Sequence, residues 1–329
     1  MESLRMNWKI RLFALSASCF FLLSCKSREE QPVLDIPQDV TKVVERPTFS
    51  SDSAFYFVYK QVEFGPRVPG SEAHEQCAVW LANVLEDFGA KVHTQTTQLK
   101  TAEGKTVPCY NIIGSYLPEK KERILLAAHW DTRPWADQDN QHVDKPIDGA
   151  NDGASGVGVL LEIARQIQQN GTDVGIDIIF FDVEDSGLSH VENSYCLGSQ
   201  YWGKNPHQPN YYAYKAILLD MVGSEDAVFT MEGASMQINP DLVNEVWNIA
   251  HQLGHQRYFV YKKTGPIIDD HVYVYKHTRT PMIDIIHNDA TTVSGFGKYW
   301  HTHQDNINII SKNTLQAVGE TVLATIRNK

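Results

Sequence analysis

Apolar positions fall into three regimes along the chain. From Leu12 to Ser24 they form a near-continuous run, with Arg5, Lys9 and Arg11 before it and Cys25 and Lys26 after it. Thirteen residues are too few to cross a bilayer as a helix, which needs roughly 20. Basic residues, a short apolar stretch and a small residue read instead as a secretory leader. Residues 26–50 lose periodicity and mix Pro, Gln, Ser and both charges, the composition of a solvated tether. From Ser51 onward helical and strand periods alternate. Apolar residues spaced i, i+3, i+4 predict helices from Glu72 to Asp87, Ser155 to Gln168, Asp241 to Leu253 and Asn313 to Arg327. Short apolar runs predict strands from Arg123 to Ala128, Ile176 to Phe181, Ala216 to Leu219 and Met282 to Ile286.

Strands that alternate with helices predict an α/β fold with helices on both faces of the sheet, a three-layer α/β/α sandwich. With no internal linker, the chain divides into a leader (1–24), a lipid-bearing N-terminus and tether (25–50) and one body (51–329). Open α/β sheets bind ligands at the carboxyl ends of their strands. Here those ends carry His129 and Asp131, Glu184 and Asp185, Asp220, and His287 to Asp289.

Composition narrows the function. The chain has 29 Lys and Arg against 40 Asp and Glu, a formal charge of −11, and without residues 1–24 it has 26 against 39, or −13. Such an acid surplus excludes a generic nucleic-acid binder, whose footprint is basic. Leu22 to Cys25 (LLSC) resembles a bacterial lipobox, in which the cysteine is lipidated and becomes the new N-terminus. The expectation is an exported bacterial lipoprotein, held to a lipid bilayer through Cys25 and facing the periplasm or cell surface, with a monomeric body. Cys77, Cys109 and Cys196 remain; three allow one disulfide at most, and no cysteine spacing matches a metal site.

His129 and Asp131, two apart at a strand end, point the same way if the backbone stays extended. Asp152 lies in a glycine-rich loop before a helix, DGANDGASGVG over 148–158, and can cap that helix or ligate an ion. Glu184 and Asp185 are adjacent, so one can bind metal while the other faces a substrate. His301 lies in the polar, aromatic segment 299–305 (YWHTHQD). Together His129, Asp152, Asp185, Asp220 and His301 are a nitrogen-and-oxygen set suited to zinc, with Glu184 left as a base.

From Phe64 to Gly70 (FGPRVPG), through these ligand segments to the last helix, the chain resembles the zinc-dependent exopeptidases related to bacterial leucyl aminopeptidases. Within them it is similar to the animal-type glutaminyl-peptide cyclotransferases. The resemblance implies a central mixed, mostly parallel twisted sheet. In the two-zinc aminopeptidases the matching residues are all five ligands, with Asp152 bridging and Glu184 as base. In the cyclotransferases one zinc is held by the counterparts of Asp152, Asp185 and His301, while residues like His129 and Asp220 persist. Asp269 before Asp270-His271, Trp300 before His301, and Gly198-Ser199 follow the cyclotransferase pattern. Asp185 and Ile268 depart from the animal members, which have glutamate and glutamine there.

The resemblance therefore implies cyclisation of an N-terminal glutamine to pyroglutamate with release of ammonia, on glutaminyl peptides or exported proteins. The tethered amine needs no activated water. Glu184 would move the proton, with Asp220 and Asp269 beside it. Trp300, Phe296, Tyr195 and Ile268 would line the pocket, and His303 would stand outside the ligand set. The alternatives are a two-zinc aminopeptidase and a metal-free binding lipoprotein on the same fold.

Overall fold

The four strands expected from their apolar runs lie side by side in a computed structural model, which describes residues 43–328; the leader, Cys25 and residues 26–42 of the tether fall outside the described residues. These strands are β3 (Arg123–His129), β4 (Gly175–Phe181), β5 (Lys215–Asp220) and β8 (Met282–Ile286). They run parallel in the order β4-β3-β5-β8. Two further strands, β1 (Lys91–Lys100) and β2 (Thr106–Tyr116), extend the β4 edge antiparallel and complete a six-stranded mixed sheet. A separate parallel pair joins β6 (Phe229–Met231) to β7 (Phe259–Lys263).

The two-residue period of the strands sorts side chains between two cores. Ile124, Leu126 and Ala128 of β3, Ile178 and Phe180 of β4, and Ile217 and Leu219 of β5 face one cluster. It is roofed by α1 (Ser51–Glu63), α2 (Glu72–Asp87), α3 (Ala154–Asn170), α6 (Pro240–Gln252) and α8 (Lys312–Arg327). Leu125, Ala127, Ile179, Phe181 and Leu218 face the other. There Trp202 of α4 (Leu197–Lys204) and Val274 of α7 (Asp270–Thr278) complete the layer, while the short α5 (Gly233–Ile238) packs near β8. Both faces are covered, as the uninterrupted apolar runs require.

One boundary differs from expectation. Residues 43–50 are not all tether: Pro47 and Phe49 are buried, and Phe49 joins the core. Ser50 caps α1 by accepting from the Ser53 N–H, and Arg46 pairs with Glu320 of α8. An eight-residue stretch with one aromatic gives no periodicity to read, yet that aromatic has a made place beside Gly319, where a Cβ would overlap its ring. Among the described residues Cys77, Cys109 and Cys196 are all buried free thiols, and no helix is long and apolar enough to cross a membrane.

Candidate active site

Parallel strands place their carboxyl ends on one edge, and the chain turns sharply there. Val183 after β4, Met221 after β5 and His301 all hold positive φ, of 52°, 49° and 55°, a region that non-glycine residues rarely occupy and that clusters at functional sites. The loop before α3 closes over the end of β3. A Cβ on Gly153 would overlap the His129 ring and carbonyl, so only glycine lets this loop approach. Asp152 does not cap α3: the N-cap is Gly153, with no side-chain capping bond. Its carboxylate turns to the two histidines instead.

Two triads share Asp152. His129 Nε2 lies 3.0 Å from Asp152 Oδ1 and 3.2 Å from Asp220 Oδ1. His301 Nε2 lies 3.2 Å from Asp185 Oδ1 and 3.8 Å from Asp152 Oδ2. Within each triad the potential ligand atoms lie within 4.8 Å of one another. The triads differ in what else holds them. In the first, His129 Nε2 faces both carboxylates while its Nδ1 is buried without a hydrogen bond, 3.5 Å from Asp131 Oδ1. In the second, Asp185 Oδ2 is buried with no partner, which an isolated carboxylate oxygen tolerates poorly. Two carboxylates and an imidazole with an unpaired buried oxygen fit zinc with one position open to substrate.

Residues outside the proposed ligand set support this second triad. Arg133 Nη1 donates to Asp185 Oδ1 at 3.2 Å and to its carbonyl at 3.0 Å, while Nε and Nη2 grip the Asp137 carboxylate. Asp137 Oδ1 in turn lies 3.1 Å from His301 Nδ1. The Asp131 carboxylate accepts the N–H groups of Glu184 and Asp185, at 3.0 and 3.2 Å. Asp305 does the same for Asn151 and Asp152, at 2.7 and 3.1 Å. Two of these carried a weak signal, since Asp131 follows His129 by two positions and Asp305 follows His301 by four; Asp137 and Arg133 carried none.

Glu184 projects into the same space. Cys196 Sγ donates to its Oε1 at 3.2 Å and lies 4.0 Å from Asp269 Oδ1. Burial pushes the Glu184 carboxyl well above its ordinary range, and Asp185, Asp269 and Asp270 add to the push against the pull of His129. Burial and then Asp220 raise Asp269 to about 6. Burial opposes a charged His129, but hydrogen bonds with Asp131, Asp152 and Asp220 outweigh it and raise that group well above its ordinary value. Crowded carboxyls of this kind share protons.

The cavity above these groups measures about 430 Å³. Its walls include Tyr195, Phe296, Trp300, Ile267, Ile268 and Met221 over a floor of Asp152, Glu184, Asp185, Asp220, Asp269 and His301. The Trp300 indole stacks on the His301 ring with centroids 3.6 Å apart, and Phe296 tilts against it at 5.0 Å. His303 is outside the group, paired with Asp139 at 2.9 Å. A larger cavity, about 610 Å³ among Lys121, Arg123, Tyr212 and Asn328, lies at the opposite strand ends and away from both triads.

The model of the family described as peptidase family M28 matches residues 111–326. The crystal structure of Tannerella forsythia glutaminyl cyclase is 51% identical, with a TM-score of 0.84 over 86% of this chain and 100% of that one. A Zn-dependent exopeptidase from Parabacteroides distasonis is 48% identical, with a TM-score of 0.85 over 87% of this chain and 100% of its own. A glutaminyl-peptide cyclotransferase of Bothrops jararaca is 26% identical over 285 residues, covering 77% of this chain and 74% of the snake protein.

Proposed function

The chain belongs to peptidase family M28, and we propose that within it the protein is a zinc-dependent glutaminyl-peptide cyclotransferase, converting N-terminal glutamine to pyroglutamate with loss of ammonia. The observation that carries this reading is the set Asp152, Asp185 and His301, whose potential ligand atoms lie within 4.8 Å of one another beside the Trp300 indole stacked on His301. There Asp185 keeps a buried, unpaired oxygen, Oδ2. One metal site, formed by Asp152, Asp185 and His301, suits a reaction that needs no metal-generated hydroxide. The 51% identity to a glutaminyl cyclase supports the same branch.

Bound zinc supplies Lewis acidity towards the γ-amide carbonyl of the substrate. The chain's own groups do the rest. Trp300, Phe296 and Tyr195 narrow the cavity, so the glutamine side chain is held curled with its α-amine near its γ-carbon. Holding two reacting groups in this way can substitute for roughly 7–11 kcal/mol of barrier. Glu184 accepts a proton from the α-amine as the new C–N bond forms and returns it to the departing γ-nitrogen, which leaves as ammonia. Asp269, close by through the Cys196 thiol, and Asp220 share the proton load of the buried carboxyls.

The test is to offer the zinc-loaded protein a glutaminyl peptide and a leucyl peptide, and to measure ammonia and free amino acid. Ammonia from the first and no leucine from the second is the expected result, with one zinc per chain by elemental analysis. Leucine release without ammonia would overturn the reading in favour of an aminopeptidase.

The same proposal places the protein on a membrane as a monomer. A leader followed by LLSC supports lipidation of Cys25, with the body carried outside the cytoplasm on a tether. Replacing Cys25→Ser should move the protein from the membrane fraction to the soluble fraction; an unchanged distribution would count against the anchor.

A further inference from the structure

Two of the loops that meet at the candidate site are held from behind by one short segment. The stretch from Phe64 to Gly70 (FGPRVPG) runs directly into Ser71 and the first turn of α2. Arg67 and His74 in this segment are both 0% exposed. Arg67 reaches the Asp152 loop: Nη2 donates to the Gly149 carbonyl at 2.8 Å, Nη1 to the Asp148 carbonyl, and Nε to the Trp130 carbonyl at 3.4 Å. Burying a guanidinium is costly, and a fork engaged by three main-chain carbonyls fixes where those backbones lie. His74 reaches the other loop. Its Nε2 lies 2.9 Å from both oxygens of Asp182, while Nδ1 accepts the Gly70 N–H at 3.3 Å, which leaves Nε2 as the donor. The ring also stacks on the Trp130 indole, with centroids 4.5 Å apart and planes 11° from parallel.

Asp182 stands immediately before the turn that carries Glu184 and Asp185. Four successive N–H groups there end on side-chain oxygens: Asp182 on Asn111 Oδ1 at 3.0 Å, Val183 on Asp182 Oδ1 at 2.8 Å, and Glu184 and Asp185 on the Asp131 carboxylate. Val183 sits at φ 52°, a conformation that persists only where its surroundings over-determine it. The carboxylate that accepts its N–H is itself fixed by His74 and by the Tyr110 N–H, which donates to Asp182 Oδ2 at 2.6 Å. We propose that Arg67 and His74 are positioning residues on one strap. Arg67 sets the loop that presents Asp152 to the metal, and His74, through Asp182, sets the turn that presents Glu184 to the substrate amine. The role of Glu184 in it rests on the cyclotransferase reading.

The two holds differ in what they change. A displaced Glu184 fails in the proton transfer as the new bond forms, so the loss falls on kcat with KM little changed. A misplacement of about 1 Å costs on the order of a hundredfold. His74→Asn leaves a side chain too short to reach Asp182, whereas His74→Gln puts an amide N–H donor near the place of Nε2. With a glutaminyl peptide and the zinc-loaded protein, His74→Asn should lower kcat for ammonia release by about a hundredfold with KM within about threefold, and His74→Gln should stay within about fivefold of the native kcat. Asp182→Asn, which sets an amide against the Tyr110 N–H, should repeat the loss, and it gives this reading even where His74→Asn does not fold. Arg67→Lys keeps the charge, but a compact ammonium cannot span the carbonyls of residues 130, 148 and 149. It should weaken zinc by roughly tenfold in a chelator competition, the scale typical of groups that hold a metal ligand in place. An unchanged kcat per folded molecule in both His74→Asn and Asp182→Asn, or a loss that His74→Gln does not recover, would overturn the role of His74. Unchanged zinc affinity in Arg67→Lys would overturn that of Arg67. Absence of ammonia from the native protein would overturn the cyclotransferase reading itself, and the zinc competition would still decide the Arg67 half.

Discussion

Asp137 contributes no atom to the candidate metal triad, yet it governs which nitrogen of His301 faces that triad. Its Oδ1 lies 3.1 Å from His301 Nδ1, leaving Nε2 directed at Asp185 and Asp152. Arg133 binds both Asp137 and Asp185, so one guanidinium orients two of the three proposed ligands. Carboxylates that hold a ligating histidine in this way typically contribute 10–100-fold in metal affinity. Asp137→Asn should therefore weaken zinc binding by roughly ten- to a hundredfold in a chelator competition, since the amide can no longer accept from Nδ1 with full charge. Unchanged affinity would show that packing alone fixes the ring. Chemical type identified His301 in the sequence; nothing about the residues 134–137 (PWAD) marked Asp137, because its role exists only through a partner 164 positions away.

At the scale of elements, segments with a clear apolar period matched their predicted places closely. The β8 bounds agree, as do those of α2, and α3, α6 and α8 differ by one or two residues. Elements without such a period were not legible. The β1 sequence KVHTQTTQLK is exposed or half-buried throughout, so as an edge strand it has no apolar face to announce it. The packed segment before α1 is a second case. Phe49 fills the space left by Gly319 in α8, which makes residues 43–50 part of the body. Phe49→Ala should destabilise the fold by about 3–5 kcal/mol, the usual cost of removing a buried phenyl ring. Denaturant unfolding of the variant measures this, and a loss under about 1 kcal/mol would mean that the segment is an ornament on an independently stable body.

At the scale of the whole molecule, the acid surplus of −11 is concentrated in part where it must be compensated. Glu232, buried beside His271 at 3.4 Å, illustrates the consequence for stability. Burial alone would raise its carboxyl, but His271 and the N–H groups of Ser235 and Ala234 overcome that and lower it from 4.5 to about 2. A carboxyl depressed on folding stabilises fully above its ordinary value, and that stability is lost as pH falls from about 4.5 through about 2. Allowing for screening, this contributes up to about 2 kcal/mol. The gap in unfolding free energy between the native chain and Glu232→Gln should therefore close as pH drops from about 6 to about 2; a gap independent of pH would remove Glu232 from the acid transition. Sequence by itself determined the alternation of elements, the layered class and the identity of the proposed ligands, because hydrophobic period and donor type are local properties of the chain. Tertiary structure decided which donors meet. His129 reaches Asp220 across 91 positions, and His301 lies 3.2 Å from Asp185 of a different strand end. Separations of about 3 Å depend on strand order and on turns of left-handed backbone, and neither is encoded in spacing along the chain.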